Sequence, residues 1–399
     1  GRVTYAYNDR YFIEGNFGYN GSENFSPGHR FGFFPSVAAG WLVSNEKFWE
    51  PISHVIDMLK IKGSYGEVGN DQIGGNRRFI YNATVIDSGS YDFGKTAHTE
   101  KGLRVGDWAN PNVGWERAKK MNAGVEISFF NALKIQADYF SEKREGIFLE
   151  RASLPLYIGV STKPYVNVGK MKNHGFDTSL EYNQRVGQVR LSGKANFTYA
   201  HNTIIDNDQP DWKYPYLNRR GQMLWQQYGL VAAGLFESQA DIDSWPTQTF
   251  GEVKPGDIKY IDINGDCKID TNDEKPIGWA AVPEIVYGFG LSAAWKGLDC
   301  SVFFQGAGHV TLQQSGSAIQ AFSARNMMES GVYEDIYYNH WSEDNPNPNA
   351  KYPRLSIGSN KNNFRNSTFW QKDMSYLRLK TVEIGYNFPS KWIDPIHIS

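Results

Sequence analysis

Between Val189 and Tyr199 the chain alternates without a break. Val189, Leu191, Gly193, Ala195, Phe197 and Tyr199 fall on odd positions, and Arg190, Ser192, Lys194, Asn196 and Thr198 fall on even ones. A period of two puts one set on each face of a β-strand, one face apolar and the other polar. The pattern recurs. Ile135, Ala137 and Tyr139 alternate with Lys134, Gln136 and Asp138. Ile285, Tyr287, Phe289, Leu291, Ala293 and Trp295 share a face, and a turn at Lys296-Gly297 starts a second run. There Leu298, Cys300, Val302 and Phe304 alternate with Asp299, Ser301 and Gln305; near the end Val382, Ile384, Tyr386 and Phe388 share a face. These runs last roughly 10 to 16 residues, against about 5 to 6 for strands of soluble sheets. Strands of about 9 to 11 residues already cross a bilayer when tilted.

The connections carry the second constraint. Short links are expected near 8–10, 47–56, 130–132, 184–188, 296–298 and 389–395, and long ones near 20–34, 70–113, 150–165, 206–281 and 312–371. The two kinds alternate along the chain. An outer-membrane barrel sorts its connections this way, with tight turns on the periplasmic side and long loops outside. A soluble sandwich has no reason to, and no repeat of about 40 to 45 residues supports a propeller.

Composition agrees with that reading. Aromatic residues make up 15% of the 399 residues and glycines number 40, which favours an all-β chain. Charged residues make up 21%, with a formal net charge of −2, so the basic face of a nucleic-acid binder is not expected. No apolar run reaches the length of a transmembrane helix. The mean hydropathy of −0.52 does not exclude a barrel, whose strands face lipid only at alternate residues. The opening Gly1-Arg2-Val3 does not read as a signal peptide. Cys267 and Cys300, the 2 cysteines, exclude a disulfide framework and lack metal-site spacing.

Several stretches resemble the SusC/RagA family of TonB-dependent transporters, along nearly the whole chain. They are Gly1–Tyr5, Gly28–Val37, Leu59–Gly66, Asn110–Glu116, Asn167–Gly169, Asn173–Asp177, Lys254–Ile258, Asp262–Asp266, Val302–Gly306 and Tyr376–Lys380. Each is weak alone; their order and spacing are specific. The resemblance implies an all-β transmembrane antiparallel barrel of about 22 strands with a plugged lumen. The sequence holds roughly twelve strands, the last only begun at Ile396, which fit strands 10–21 of such a barrel. Residues 1–399 are therefore expected to be the C-terminal part of the barrel domain, with the plug, the first strands and the final strand lying outside it. Its location would be the outer membrane of a Gram-negative bacterium. Its partners would be TonB, acting through the plug, a SusD-like surface lipoprotein docking on the long loops at 206–281 and 312–371, and membrane lipid. The cargo would be a bulky nutrient, a glycan ahead of a peptide.

Three groups of residues are candidates for chemistry. Asp262, Asn264, Asp266, Asp270 and Asp273 place oxygen donors at positions 1, 3, 5, 9 and 12 of a calcium loop, with the Lys268 carbonyl at position 7. Cys267 stands where such a loop needs glycine, and Asp273 where it usually has glutamate. The alternative is a solvated acidic turn; a bound calcium would brace the loop. Trp212, Tyr214, Tyr216, Trp225 and Trp245 offer flat faces that stack on sugar rings, or pack the loop internally. Arg190, Lys194 and Asn196 face the lumen, where they line the passage, solvate the wall or contact the plug. No G-x-S-x-G, P-loop or H-E-x-x-H occurs and the 8 histidines are scattered, so no enzyme is expected. The alternatives to import are a receptor or adhesin of the same shape that does not transport, and a soluble β-rich carbohydrate-binding module.

Overall fold

In a computed structural model of the protein, the period of two becomes register. The structure describes residues 1–74, 77–95, 98–160, 162–323 and 331–388. The chain divides into two compact units, one of residues 1–210, 285–306 and 377–399, the other of 211–284 and 307–376.

The first unit is built on an 11-stranded sheet whose strands lie side by side in chain order. They are β1 (Arg2–Tyr7), β2 (Tyr11–Gly21), β3 (Phe31–Leu42), β4 (Ile56–Asn70), β5 (Glu116–Phe129), β6 (Leu133–Glu150), β7 (Tyr165–Val186), β8 (Val189–Asp206), β9 (Ile285–Trp295), β10 (Leu298–Gly308) and β11 (Tyr376–Tyr386). The expected turn at 389–395 and the strand beginning at Ile396 lie outside the described residues.

Pairing is antiparallel from β1 through β9 and keeps the faces separate. One cross-strand row runs Tyr7, Tyr11, Trp41, Ile61, Val125, Ala137, Thr178, Phe197, Tyr287. The next row, on the opposite face, contains Lys62, Gly124, Asp138, Asp177 and Thr198. A slip of one residue anywhere would put Lys62 or Asp138 on the apolar face. That apolar face is uncovered: Val3, Tyr5, Ile13, Phe17, Phe33, Val37, Tyr65, Leu291 and Ile384 are all exposed. A water-soluble domain rarely leaves so wide an apolar patch open. A bilayer is the environment that satisfies it.

One expectation needs correction. Connections do not sort by length without exception, because the link 43–55 is longer than the loop 22–30. It stays compact through two short 3-10 turns, Val43–Asn45 and Lys47–Ile52. Glu46 anchors it, accepting bonds from Tyr11 (2.6 Å), Trp41 (3.2 Å) and Arg10 (3.3 Å). Folding back, not brevity, keeps this link on the tight-turn end.

The second unit is made from the connection after β8 and the connection after β10, which share one core. Leu230, Leu235, Ile258, Tyr260 and Ile269 come from the first segment, and Ile336, Trp341, Tyr352 and Trp370 from the second. Its strands are two to four residues long, such as Ala232–Leu235 against Ile258–Tyr260.

The two faces of the sheet predict opposite responses to charge. Ala137→Arg, in the apolar row, is expected to cost about 2–4 kcal/mol in a bilayer. Gln136→Arg, one residue earlier and beside Asp138 (2.8 Å) on the polar face, is expected to be tolerated. Denaturant unfolding of the full-length protein refolded in lipid measures both.

Candidate functional site

Stretches far apart in sequence meet at the long-loop end of the sheet. Trp115 packs against Phe25 and Phe34, with centroids at 5.5 and 5.2 Å, and its indole N–H donates to the Arg30 carbonyl (3.1 Å). Asn167 is the clamp. Its amide oxygen accepts from Gly114 N–H (3.0 Å), and its amide N–H groups donate to the carbonyls of Gly114 (3.0 Å) and Gly146 (2.7 Å). Gly146 marks a bulge in the β6–β7 ladder, so Asn167 repairs the carbonyl that the bulge leaves unpaired. Phe25, Ile73, Ile80 and Val113 complete this small core. The Gly28–Val37, Asn110–Glu116 and Asn167–Gly169 stretches are thus one structural joint.

Lys254–Ile258 is the corresponding joint of the second unit. Asp257 is fully buried, and its carboxylate takes Arg354 Nε (2.8 Å) and Nη2 (3.0 Å), the Asn360 amide (3.1 Å), the Asn363 amide (2.8 Å) and the Lys254 N–H (2.8 Å). A buried carboxylate is stable only with partners of this kind. Arg354, Asn360 and Asn363 lie about a hundred residues downstream, so they tie the two segments together. Gly256 has φ +85°, and a Cβ there would run into the Trp341 ring.

In the loop read as a calcium site, the acidic groups bind the loop's own backbone. Asp262 accepts from Gly265 (2.7 Å) and Cys267 (2.8 Å), Asn264 from Asp266 (2.9 Å), Asp266 from Lys268 (3.0 Å) and Asp270 from Asn272 (2.6 Å). Asp273, fully buried, accepts from Ile263 (2.8 Å), Asn264 (3.3 Å) and Asp270 (2.9 Å). Among the described residues no group of three or more His, Cys, Asp or Glu is arranged to hold a metal. Cys267 takes the glycine conformation, with φ +62°, so the sharp turn survives at the cost of left-handed strain.

The aromatic candidates separate. Trp245 is structural: it packs on the core, donates to the Tyr260 carbonyl (2.7 Å) and carries Lys259 over its ring at 3.9 Å. Tyr216 is tied to the acidic loop by a bond to the Asn272 carbonyl (2.7 Å), and burial, with the nearby Asp273 carboxylate, pushes its phenol up. Tyr214 stacks on Tyr216 at 5.6 Å. Only Trp212 and Trp225 are exposed. Sequence reading missed Tyr333, Tyr337 and Tyr338, exposed around the short helix α1 (Glu334–Asn339). The helix is held by Asp335, which takes Lys351 and the Tyr352 hydroxyl; the Lys351 bond, then that of Tyr352, lowers its carboxyl from the ordinary range. Tyrosines four and five apart on a helical stretch were the available signal.

On the polar face, charges over β4–β6 neutralise one another: Lys62 lies 3.2 Å from Glu126 and 3.1 Å from Asp138. Arg190, Lys194 and Asn196 on β8 are exposed, and Lys194 lies 3.9 Å from Glu181. Arg190, Lys194 and Asn196 belong to the first unit, and the aromatic candidates to the second.

Comparison with known proteins decides the family. The family described as "TonB dependent receptor-like, beta-barrel" matches residues 1–269. The chain belongs to this receptor family. TonB-dependent receptor P3 of Formosa agariphila is 28% identical over 412 residues, covering 98% of this chain and 38% of its own length. TonB-dependent receptor SusC of Bacteroides thetaiotaomicron is 23% identical over 407 residues, with the same coverage of 98% and 38%. The RagAB peptide importer in its open-open state superposes with a TM-score of 0.75 at 22% identity, covering 98% of this chain and 40% of that one. The SusC/RagA resemblance and the barrel fold hold, and the receptor barrel sets aside the soluble module. The family is one of outer-membrane receptors and transporters, not enzymes. This TonB-dependent receptor chain spans about two fifths of the length of the relatives it matches.

The joints of this TonB-dependent receptor make two predictions. Gly256→Ala is expected to cost about 2–5 kcal/mol, from left-handed strain and overpacking on Trp341. Cys267→Gly is expected to gain about 0.5–1 kcal/mol by relieving strain, less the entropy a glycine loses. Thermal unfolding of the full-length protein reads both, and a stable Gly256→Ala protein would refute the first.

Proposed function

We propose that the intact protein imports a bulky nutrient, glycan or peptide, across the outer membrane, with energy delivered through TonB and with a SusD-like surface lipoprotein as its partner. The observation that carries this reading is membership of the TonB-dependent receptor family. The uncovered apolar face supports a membrane location, and the exposed Arg190, Lys194 and Asn196 supply polar contacts along the passage. Glycan is favoured by the exposed Trp212 and Trp225, peptide by likeness to a peptide importer. Trp212, Trp225, Tyr333, Tyr337 and Tyr338 are exposed aromatic side chains of the second unit, of the kind that anchor a docking protein.

Calcium is proposed as a brace for residues 262–273. Each carboxylate oxygen that accepts a single backbone N–H, as those of Asp262 do, keeps a second lone pair. Hard oxygen donors are the set calcium takes. Calorimetric titration of the full-length protein is expected to give heat at millimolar calcium or below, and none in Asp262→Ala/Asp266→Ala. Absence of heat in both would refute the brace.

Import is tested by growth of a strain lacking the full-length gene on a panel of glycans and peptides, each as the limiting nutrient. The expected result is loss of growth on one nutrient, restored by the intact gene and not by one without its TonB-contact segment. Equal restoration by both genes would refute TonB-driven import and leave a receptor. Tyr337→Ala/Tyr338→Ala is expected to weaken co-purification of the surface lipoprotein about tenfold or more, as hot-spot aromatics do.

A further inference from the structure

The apolar face of the sheet carries an unexpected row of cations. Lys119 on β5, Lys143 on β6 and Lys172 on β7 are direct cross-strand partners, flanked in the same row by Glu67 on β4 and Thr203 on β8. Parity puts them on the face of Tyr139 and Phe176, not that of Asp138. The row before it, toward the tight turns, contains Tyr65, Met121, Ser141, His174 and His201. The row after it contains Arg117, Glu145, Lys170 and Asp206.

Like charges directly opposite one another destabilise a sheet, so wall stability does not explain the row. Glu145 offsets part of it, at 2.9 Å from Lys143 and 3.5 Å from Lys119, and Glu67 is engaged by Arg117 at 3.0 Å. Lys170 and Lys172 are exposed, and neither has an ion-pair partner among the described residues. Five cations here face three acids, Glu67, Glu145 and Asp206.

Height along the strand identifies the occupant. From Lys172 to Gln184, near the tight turn, the outward residues are His174, Phe176, Thr178, Leu180 and Tyr182. The ten residues from Lys172 to Tyr182 rise about 33 Å along the strand, or about 25 Å along the normal at a tilt near 40°. The outward apolar band of an outer-membrane barrel is about 25 Å tall. With Tyr182 at one interface, Lys172 therefore reaches the other, at the headgroup level on the long-loop side. We propose that Lys119, Lys143 and Lys172, supported by Lys170, bind the phosphorylated headgroup of an anionic lipid in the leaflet on that side, its acyl chains lying along the apolar face below. Neighbouring strands are about 4.8 Å apart, so adjacent ammonium groups can share one phosphate.

This rests on the membrane reading, and native mass spectrometry of the full-length protein separates the two. The protein is titrated in detergent with phosphatidylglycerol, phosphatidylcholine or inorganic phosphate. Selective retention of phosphatidylglycerol is expected. Lys119→Gln/Lys143→Gln/Lys172→Gln should weaken it on the order of a hundredfold, at about 1 kcal/mol per lysine. The corresponding triple arginine variant should retain it, as should the control Lys47→Gln/Lys101→Gln/Lys361→Gln. Equal retention of the two lipids, wild-type affinity in the glutamine variant, or inorganic phosphate bound as tightly as lipid would each overturn the proposal. A protein that stays soluble without detergent would overturn the membrane reading, and this inference with it.

Discussion

The ladder of backbone hydrogen bonds between neighbouring strands is the constraint on which the rest depends. Lipid offers no partner to an amide, and each group left unpaired there costs several kcal/mol. Every interior strand of the sheet must therefore pair on both sides along its length. Once it does, register is fixed, and with register the face of every side chain. Tyr139 cannot face outward unless Asp138 faces inward, and Asp138 finds Lys62 only because Gly124 stands between them in the same row. The bulge at Gly146 is the informative exception. There the ladder is interrupted, and a side chain, Asn167, supplies the missing donor.

The second unit solves a different problem. It is two long connections with strands too short to fold alone, and its core draws large side chains from both. Asp257 makes the association specific. Hydrophobic burial alone would accept many arrangements of Ile258, Tyr260, Tyr352 and Trp370, whereas a buried carboxylate accepts few. Its demand for Arg354, Asn360 and Asn363 selects the arrangement in which both segments are in place. Exposed tyrosines on α1 are then carried by a packed base, held through Asp335, rather than by a free loop.

Most of the wall was legible because alternation is a local property. Val189–Tyr199 declares its two faces without reference to any other strand, and β8 extends that run to Asp206. The count of long strands follows, with the last of those expected lying outside the described residues. What was not legible is pairing at a distance. Nothing near Asn167 announces Gly114, and nothing near Asp257 announces Arg354. The aromatic residues of the long connection illustrate the limit: Trp245 and Trp225 look alike in sequence, yet one packs against the core and the other is exposed. Cys267 is a milder case, in which the turn was correctly placed although its residue argued against it.

The two ends of the wall are free to diverge because only the middle is held by lipid. At the tight-turn end the row Tyr7, Tyr11 and Trp41, with Tyr11 stacked on Trp41 at 6.3 Å, has the amphipathic chemistry of an interface belt. At the other end β7, 22 residues long, outruns the bilayer by several turns of the pleat. Beyond that boundary the outward face no longer needs to be apolar, and Lys172 and Lys170 follow His174 on the same side of the same strand. Charge enters the outward face where the height of the strand says that hydrocarbon has ended. The change of composition along one face of β7 is therefore a depth gauge, independent of the alternation that assigns the faces.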